Sequence, residues 1–190
     1  MNIIRKTFFI YLFFFCYSSN SIEITSIVKI NESTITNIDL IREIKFFEIL
    51  NKKKIDQKGE VLILENLIEE KIKNLETQKL KISIDKKRVE EIVNSNLNKY
   101  NDEIKNSKEI FSYIQNKIEI SMKWNALITS LYARKIEINT NEIKEIINSK
   151  NKTELNQKNL INEEKQKKIN VLSKTHFNEV KKNYFIKYNK

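Results

Sequence analysis

Few side chains in this sequence could run a reaction. The only histidine is His176, and the only cysteine, Cys16, sits in an apolar N-terminal run. That run reads as a leader that is removed, so the mature chain is expected to hold no thiol for a Cys/His nucleophile pair or a thiolate metal site. His176 falls on an apolar stripe, which assigns it to packing. The acidic pairs Glu69-Glu70, Glu90-Glu91 and Glu163-Glu164 are adjacent. On a helix adjacent residues point in different directions, so these pairs read as surface charges. A single glycine, Gly59, leaves no loop to cradle a phosphate. The expectation is a non-catalytic protein with no metal site and no cofactor. What remains is binding by apolar surface, for which aromatic and methionine side chains offer large, adaptable contact area. Five residues are candidates for touching a bound chain: Phe46, Phe47, Met122, Trp124 and Phe177. Each has core packing as its alternative.

These side chains must be carried by helices. The 190 residues include no proline and one glycine. Tight hairpins and positive-φ turns are therefore scarce, and a large sandwich, a barrel or a Rossmann unit would be hard to build. The fold class is mostly α. In the stretch from Gly59 to Val93, Leu64, Leu67, Ile68, Ile72 and Leu75 form one helical stripe. Glu65, Glu69, Glu70, Lys71, Lys73 and Glu76 fall off the stripe and read as solvated, with Glu69–Lys73 a favourable i,i+4 pair. After a short connection, Ser83 or Asp85 caps a helix bearing Val89, Ile92 and Val93. Residues 94–107 read as a helix end and a loop. Ser107 caps a long helix reaching about Lys135. It carries two stripes: Phe111, Ile114, Ile118 and Met122, continued by Ile128 or Tyr132; and Tyr113, Ile120, Trp124, Leu127 and Leu131. Two stripes make it a central helix, contacted from several sides. Thr140 caps a short helix over 141–149. A last helix runs from Leu160 to about Asn183, with Ile161, Ile169, Leu172, His176 and Val180 on one side.

Two segments read as extended. Residues 24–30 form a strand, Asn31-Glu32 a turn and residues 33–36 a return strand. Thr36 or Asn37 then caps a helix from Ile38 to about Leu50. Residues 184–188 alternate as a strand. A lone hairpin is marginal in water, so this last strand is expected to pair with residues 24–30.

Residues 1–21 read as a signal peptide. Arg5 and Lys6 precede an apolar run from Thr7 to Tyr17, then small polar residues. The run, about 11 residues, is too short to span a bilayer of about 30 Å, so an uncleaved anchor is the weaker reading. Ser19 and Ser21 suit cleavage after Ser21. Phe15 stands where a lipoprotein would have a small residue before Cys16. Cleavage removes Cys16 and leaves a chain fit for an oxidising compartment. No stable membrane span is expected after cleavage. The formal charge is +10, but lysines are interleaved with glutamates along every helix. Lys, Asn and Ile are abundant together, as in an AT-biased genome. A solvated basic surface is expected rather than a nucleic-acid interface.

The order of these blocks resembles the N-terminal domain of the SurA family of periplasmic chaperones. Three blocks carry it: "I-V-K-I-N-E-S-T-I-T-N-I-D-L" after the leader, the long helix with its "K-I-S" connection, and "R-K-I-E-I-N-T-N-E-I" after the central helix. The ending "H-F-N-E-V-K-K-N-Y-F-I-K-Y" is similar to the C-terminal helix and strand that complete that core. The family usually has a glycine at the end of the long helix, where this chain has Lys79-Leu80. By this resemblance residues 22–149 form a SurA N-terminal-like helical domain, 150–159 a linker, and 160–190 the closing helix and strand. The glycine-rich parvulin isomerase domain of many relatives has no counterpart here. The resemblance implies an ATP-independent holdase in the periplasm, binding unfolded outer-membrane proteins through an apolar groove. Its rivals are an adaptor for one fixed partner and, by family name, a peptidyl-prolyl isomerase.

Overall fold

The computed structural model describes residues 23–139, 141, 145 and 157–189. The leader and the helix expected over 141–149 lie outside the described residues, apart from Asn141 and Glu145. So does the linker up to residue 156, whereas residues 157–159 already belong to the last helix. Among the described residues the order is β1 (Ser26–Ile30), β2 (Ser33–Thr36), α1 (Asn37–Asn51), α2 (Gln57–Lys79), α3 (Lys86–Leu97), α4 (Asp102–Lys105), α5 (Lys108–Leu131), α6 (Ala133–Ile136), α7 (Gln157–Lys181) and β3 (Ile186–Tyr188). The fold is mostly helical with one small antiparallel sheet, as composition requires.

The sheet has the order β2-β1-β3. The loop Asn31-Glu32 joins the first two strands, with Asn31 in the left-handed region at φ 50°, which asparagine tolerates better than most residues. Asn31 also secures the third strand. Its N–H donates to the Phe185 carbonyl at 3.0 Å, and its Oδ1 accepts from the Phe185 N–H at 2.9 Å. β3 then pairs with β1, Ile186 opposite Ile30 and Tyr188 opposite Val28. Val28, Ile30 and Ile35 point inward and are buried.

Local chemistry starts α1, α2, α3 and α5. Thr36 and Asp39 form a capping box for α1: Thr36 Oγ1 accepts from the Asp39 N–H and Asp39 Oδ2 from the Thr36 N–H. Asp56, Asp85 and Ser107 cap α2, α3 and α5. The end of α2 is a Schellman motif without glycine. The Ile82 N–H donates to the Thr77 carbonyl at 2.9 Å and the Lys81 N–H to the Gln78 carbonyl at 3.0 Å. Lys81 takes the left-handed position at φ 52°. A lysine there carries a strain that glycine lacks, against glycine's greater chain entropy. Lys81→Gly should therefore stabilise the protein by roughly 0.5 kcal/mol, seen as a higher urea midpoint at unchanged slope. A lower midpoint would contradict the cap.

α5 is the spine, and its two halves, rather than its two stripes, serve two cores: Tyr113 of the second stripe joins Phe111 and Ile114 in one, and Ile128 of the first joins Trp124 and Leu127 in the other. One core joins the sheet, α2, α5 and α7 through Val28, Ile30, Ile68, Ile72, Trp124, Leu127, Ile128, Phe177 and Val180. The other joins α1, α3, α4 and the first half of α5 through Phe46, Val89, Val93, Leu97, Ile104 and Ile110. Several expectations need correction. α5 ends at Leu131 rather than near Lys135, because the chain turns at Tyr132 (φ −116°) before α6. Leu131 is exposed, one turn beyond the packed part of its stripe. Residues 102–105 form a turn of helix that buries Ile104, where a loop is expected. Ile63, one residue before the expected stripe of α2, is buried. Glu76 is not on a solvated face: it is buried and accepts from Tyr184 Oη at 2.8 Å.

Candidate functional site

α1, α2 and α5 meet at a cluster of charged groups. Glu43 comes from α1, Glu70 from α2, and Tyr113 and Lys117, one turn apart, from α5. Lys117 Nζ donates to Glu70 Oε1 at 2.8 Å, to Oε2 at 2.6 Å and to Glu43 Oε1. Tyr113 Oη donates to the same Glu43 oxygen at 2.6 Å. One cation thus serves two carboxylates. Burial pushes the Glu70 carboxyl above its ordinary range, and Lys117 only partly offsets this. Glu70 is therefore no ordinary surface charge, contrary to the reading of the Glu69-Glu70 pair. Clefts of about 230 and 310 Å³ open beside the cluster.

Phenol–carboxylate pairs recur. Tyr184 donates to Glu76, and Tyr188 Oη donates to Glu65 at 2.7 Å. Burial first, and the carboxylate second, raises all three phenols above their usual value, Tyr188 to about 12. Each stays a hydrogen-bond donor near neutral pH and tethers elements: α5 to α1, and the C-terminal strand region to α2.

An open groove lies elsewhere, between α3, α5 and α7. α3 packs on one half of α5 and α7 on the other. Between them Met122, Ala126 and Thr129, at i, i+4 and i+7, form a strip of α5 that is half-buried against the second core at Met122 and exposed at Ala126 and Thr129. Ile84 and Ile92 line one side and Ile169 the other, around about 670 Å³. Arg88 stands at the rim, and among the described residues it makes no ion pair. A second apolar opening, about 520 Å³, lies at the corner between α1 and α2, beside Phe47.

The five aromatic and methionine candidates divide on burial. Phe46 (1% exposed), Trp124 (2%) and Phe177 (8%) are core residues. Phe46 packs against Tyr113 at 4.4 Å between ring centroids. Trp124 Nε1 donates to Ser173 Oγ at 2.8 Å, and its ring meets Phe177 edge-on at 6.3 Å. These three have no surface to offer a bound chain. Phe47, 40% exposed, faces the α1–α2 corner, and half-buried Met122 lines the groove. The two are on separate openings, so no single site unites the candidates. His176 is half-buried, its Nδ1 3.0 Å from Tyr132 Oη and its ring 5.5 Å from Trp124. Ala126 and Thr129 were not legible as groove residues. Their only signal is that small side chains continue the Met122 line where the two large stripes leave it.

No protein-family model matches the chain, and no curated protein matches it. Among the described residues no three His, Cys, Asp or Glu side chains converge as a metal site. No described helix is long and apolar enough to cross a membrane.

Proposed function

We propose that this protein is a SurA-like, ATP-independent holdase without isomerase activity, which takes apolar segments of unfolded outer-membrane proteins into the groove between α3, α5 and α7. The observation that carries the reading is the groove itself. Ile84, Ile92, Met122 and Ile169 give it apolar walls, with polar Asn125, Ser130 and Gln166 set among them, Ala126 lies on its floor, and it stays open to solvent. Such a surface binds extended apolar chains with little demand on their sequence. The order of elements supports the same reading: a hairpin, a capped helix, a long helix, a central helix, and a last helix and strand that return to β1. Under this proposal residues 1–21 direct the chain to the periplasm and are removed near Ser21.

The test is suppression of aggregation of an unfolded outer-membrane β-barrel by the chain beginning at Ile22. Near-stoichiometric suppression is expected. Ala126→Glu places a charge on the exposed groove floor with little cost to the fold, and should weaken suppression several-fold at unchanged helicity. A well-folded protein that suppresses nothing would sink the holdase reading and leave an adaptor for one folded partner. Suppression unaffected by Ala126→Glu would move the site away from this groove.

A further inference from the structure

We propose that the corner between α1 and α2 is a separate binding point, for an extended peptide segment that carries an apolar side chain flanked by carboxylates. It lies apart from the groove between α3, α5 and α7 and does not depend on the reading of that groove.

The corner is apolar within and basic around. Phe47 and Leu62, 40% and 66% exposed, line its opening together with Ile55 and Ile63. Large apolar side chains exposed side by side in a concavity are unusual on a solvated surface. The chain's one glycine is here. A Cβ on Gly59 would lie 2.7 Å from Ile55 Cγ2, so only glycine lets Ile55 fold this closely over the first turn of α2. Glycine is otherwise unfavourable inside a helix.

The charges at the corner are not balanced. Asp56 is engaged as the cap of α2, its Oδ1 accepting from the Gly59 N–H at 2.9 Å. Glu48 is engaged with Lys54 and with the Ile55 N–H, both at 2.9 Å. Lys53 and Lys58, both exposed, have no partner among the described residues. An apolar opening with uncommitted ammonium groups at its rim is complementary to an apolar anchor beside carboxylates. A second copy of this chain would bring the same lysines to the contact and be repelled. A lipid surface suits a flat or convex apolar face, whereas this opening is concave and holds one or two side chains.

The experiment is fluorescence anisotropy with the chain beginning at Ile22 and a labelled peptide of about ten residues, one phenylalanine among glutamates. The control peptide has lysines in place of the glutamates. The acidic peptide should bind about tenfold or more tighter than the control, and added salt should weaken it. Lys53→Glu with Lys58→Glu changes exposed side chains only and should keep the circular dichroism of the parent, yet weaken binding about tenfold. Leu62→Ser should weaken it several-fold. Equal binding of the two peptides, or binding indifferent to the charge reversal, overturns the proposal. So does a dimer that Leu62→Ser dissociates, or Leu62-dependent binding to anionic vesicles without binding to the acidic peptide. Loss of peptide binding in Ala126→Glu alone would place the peptide in the other groove and also overturn it. Because aggregation suppression is read separately, failure here leaves the holdase proposal standing, and the converse holds.

Discussion

Trp124→Ala should cost about 3–5 kcal/mol of folding stability, the range for removing a large aromatic from a packed core. Trp124 is the bolt between α5 and α7. Its indole fills the core beside Phe177 and His176, the Lys73 ammonium stands 5.7 Å from the ring centroid, and Nε1 donates to Ser173. Truncation leaves a cavity and strips Ser173 Oγ of its donor. Trp124→Phe keeps much of the volume and loses the hydrogen bond, so about 1–2 kcal/mol is expected. Urea unfolding followed by circular dichroism measures both. The single tryptophan also reports on itself, with blue-shifted emission in the folded parent. An alanine variant as stable as the parent would contradict the core placement and return Trp124 to the surface.

Lys117→Met should be the next most damaging change, about 2–3 kcal/mol near neutral pH, somewhat below a fully buried pair because the cluster keeps some solvent contact. It removes the one cation between Glu43 and Glu70. The pH dependence separates this from lost packing. The Glu70 carboxyl is already raised above its ordinary 4.5 in the folded protein. A raised acid favours the folded state below its unfolded value, and that contribution is lost as pH rises through the folded value. Without Lys117 the rise is larger. The deficit of Lys117→Met should therefore be greatest near about pH 7 and shrink towards about pH 5. Glu70→Gln removes a disfavoured charge and leaves Lys117 paired with Glu43, so it should be neutral or mildly stabilising, and should rescue Lys117→Met in part. A Lys117→Met deficit that grows on acidification would refute this account of the cluster.

What could be read from the sequence was what short-range chemistry decides. Ser107 acts on a backbone group three residues away, so the start of α5 is legible to the residue, and Asp85 and Thr36, each one of two readings for α3 and α1, follow the same rule. The pairing of the last strand with the first was legible for a different reason: an isolated hairpin needs a third strand, and residues 184–188 alternate. The two stripes of α5 announced a central helix. Burial of individual aromatics was not legible, because it depends on which helix lies opposite. Phe46 and Phe47 are neighbours, yet one is core and the other is surface, since helical rotation separates them by about 100°. The Lys117 cluster was hidden for the same reason. Nothing local links Glu43, Glu70 and Lys117, and only the packing of α1 and α2 on α5 makes them one group. The end of α2 was obscured because Lys81 holds a conformation that usually betrays itself by glycine.

The place of β1 in the middle of the sheet has a consequence in time. The core of α1, α3, α4 and the first half of α5 draws on residues between Phe46 and Met122, and most of its closures span modest lengths of chain. The other core waits for Asn31 to meet Phe185, 154 positions away. Closing so long a loop is slow compared with forming helices. A chain growing from its N-terminus can therefore settle one half of the spine early. Until α7 and β3 arrive, Trp124, Leu127 and Ile128 have only α2 and the first two strands to cover them, and for that interval the protein is itself a chain whose apolar surface has to be kept from aggregating.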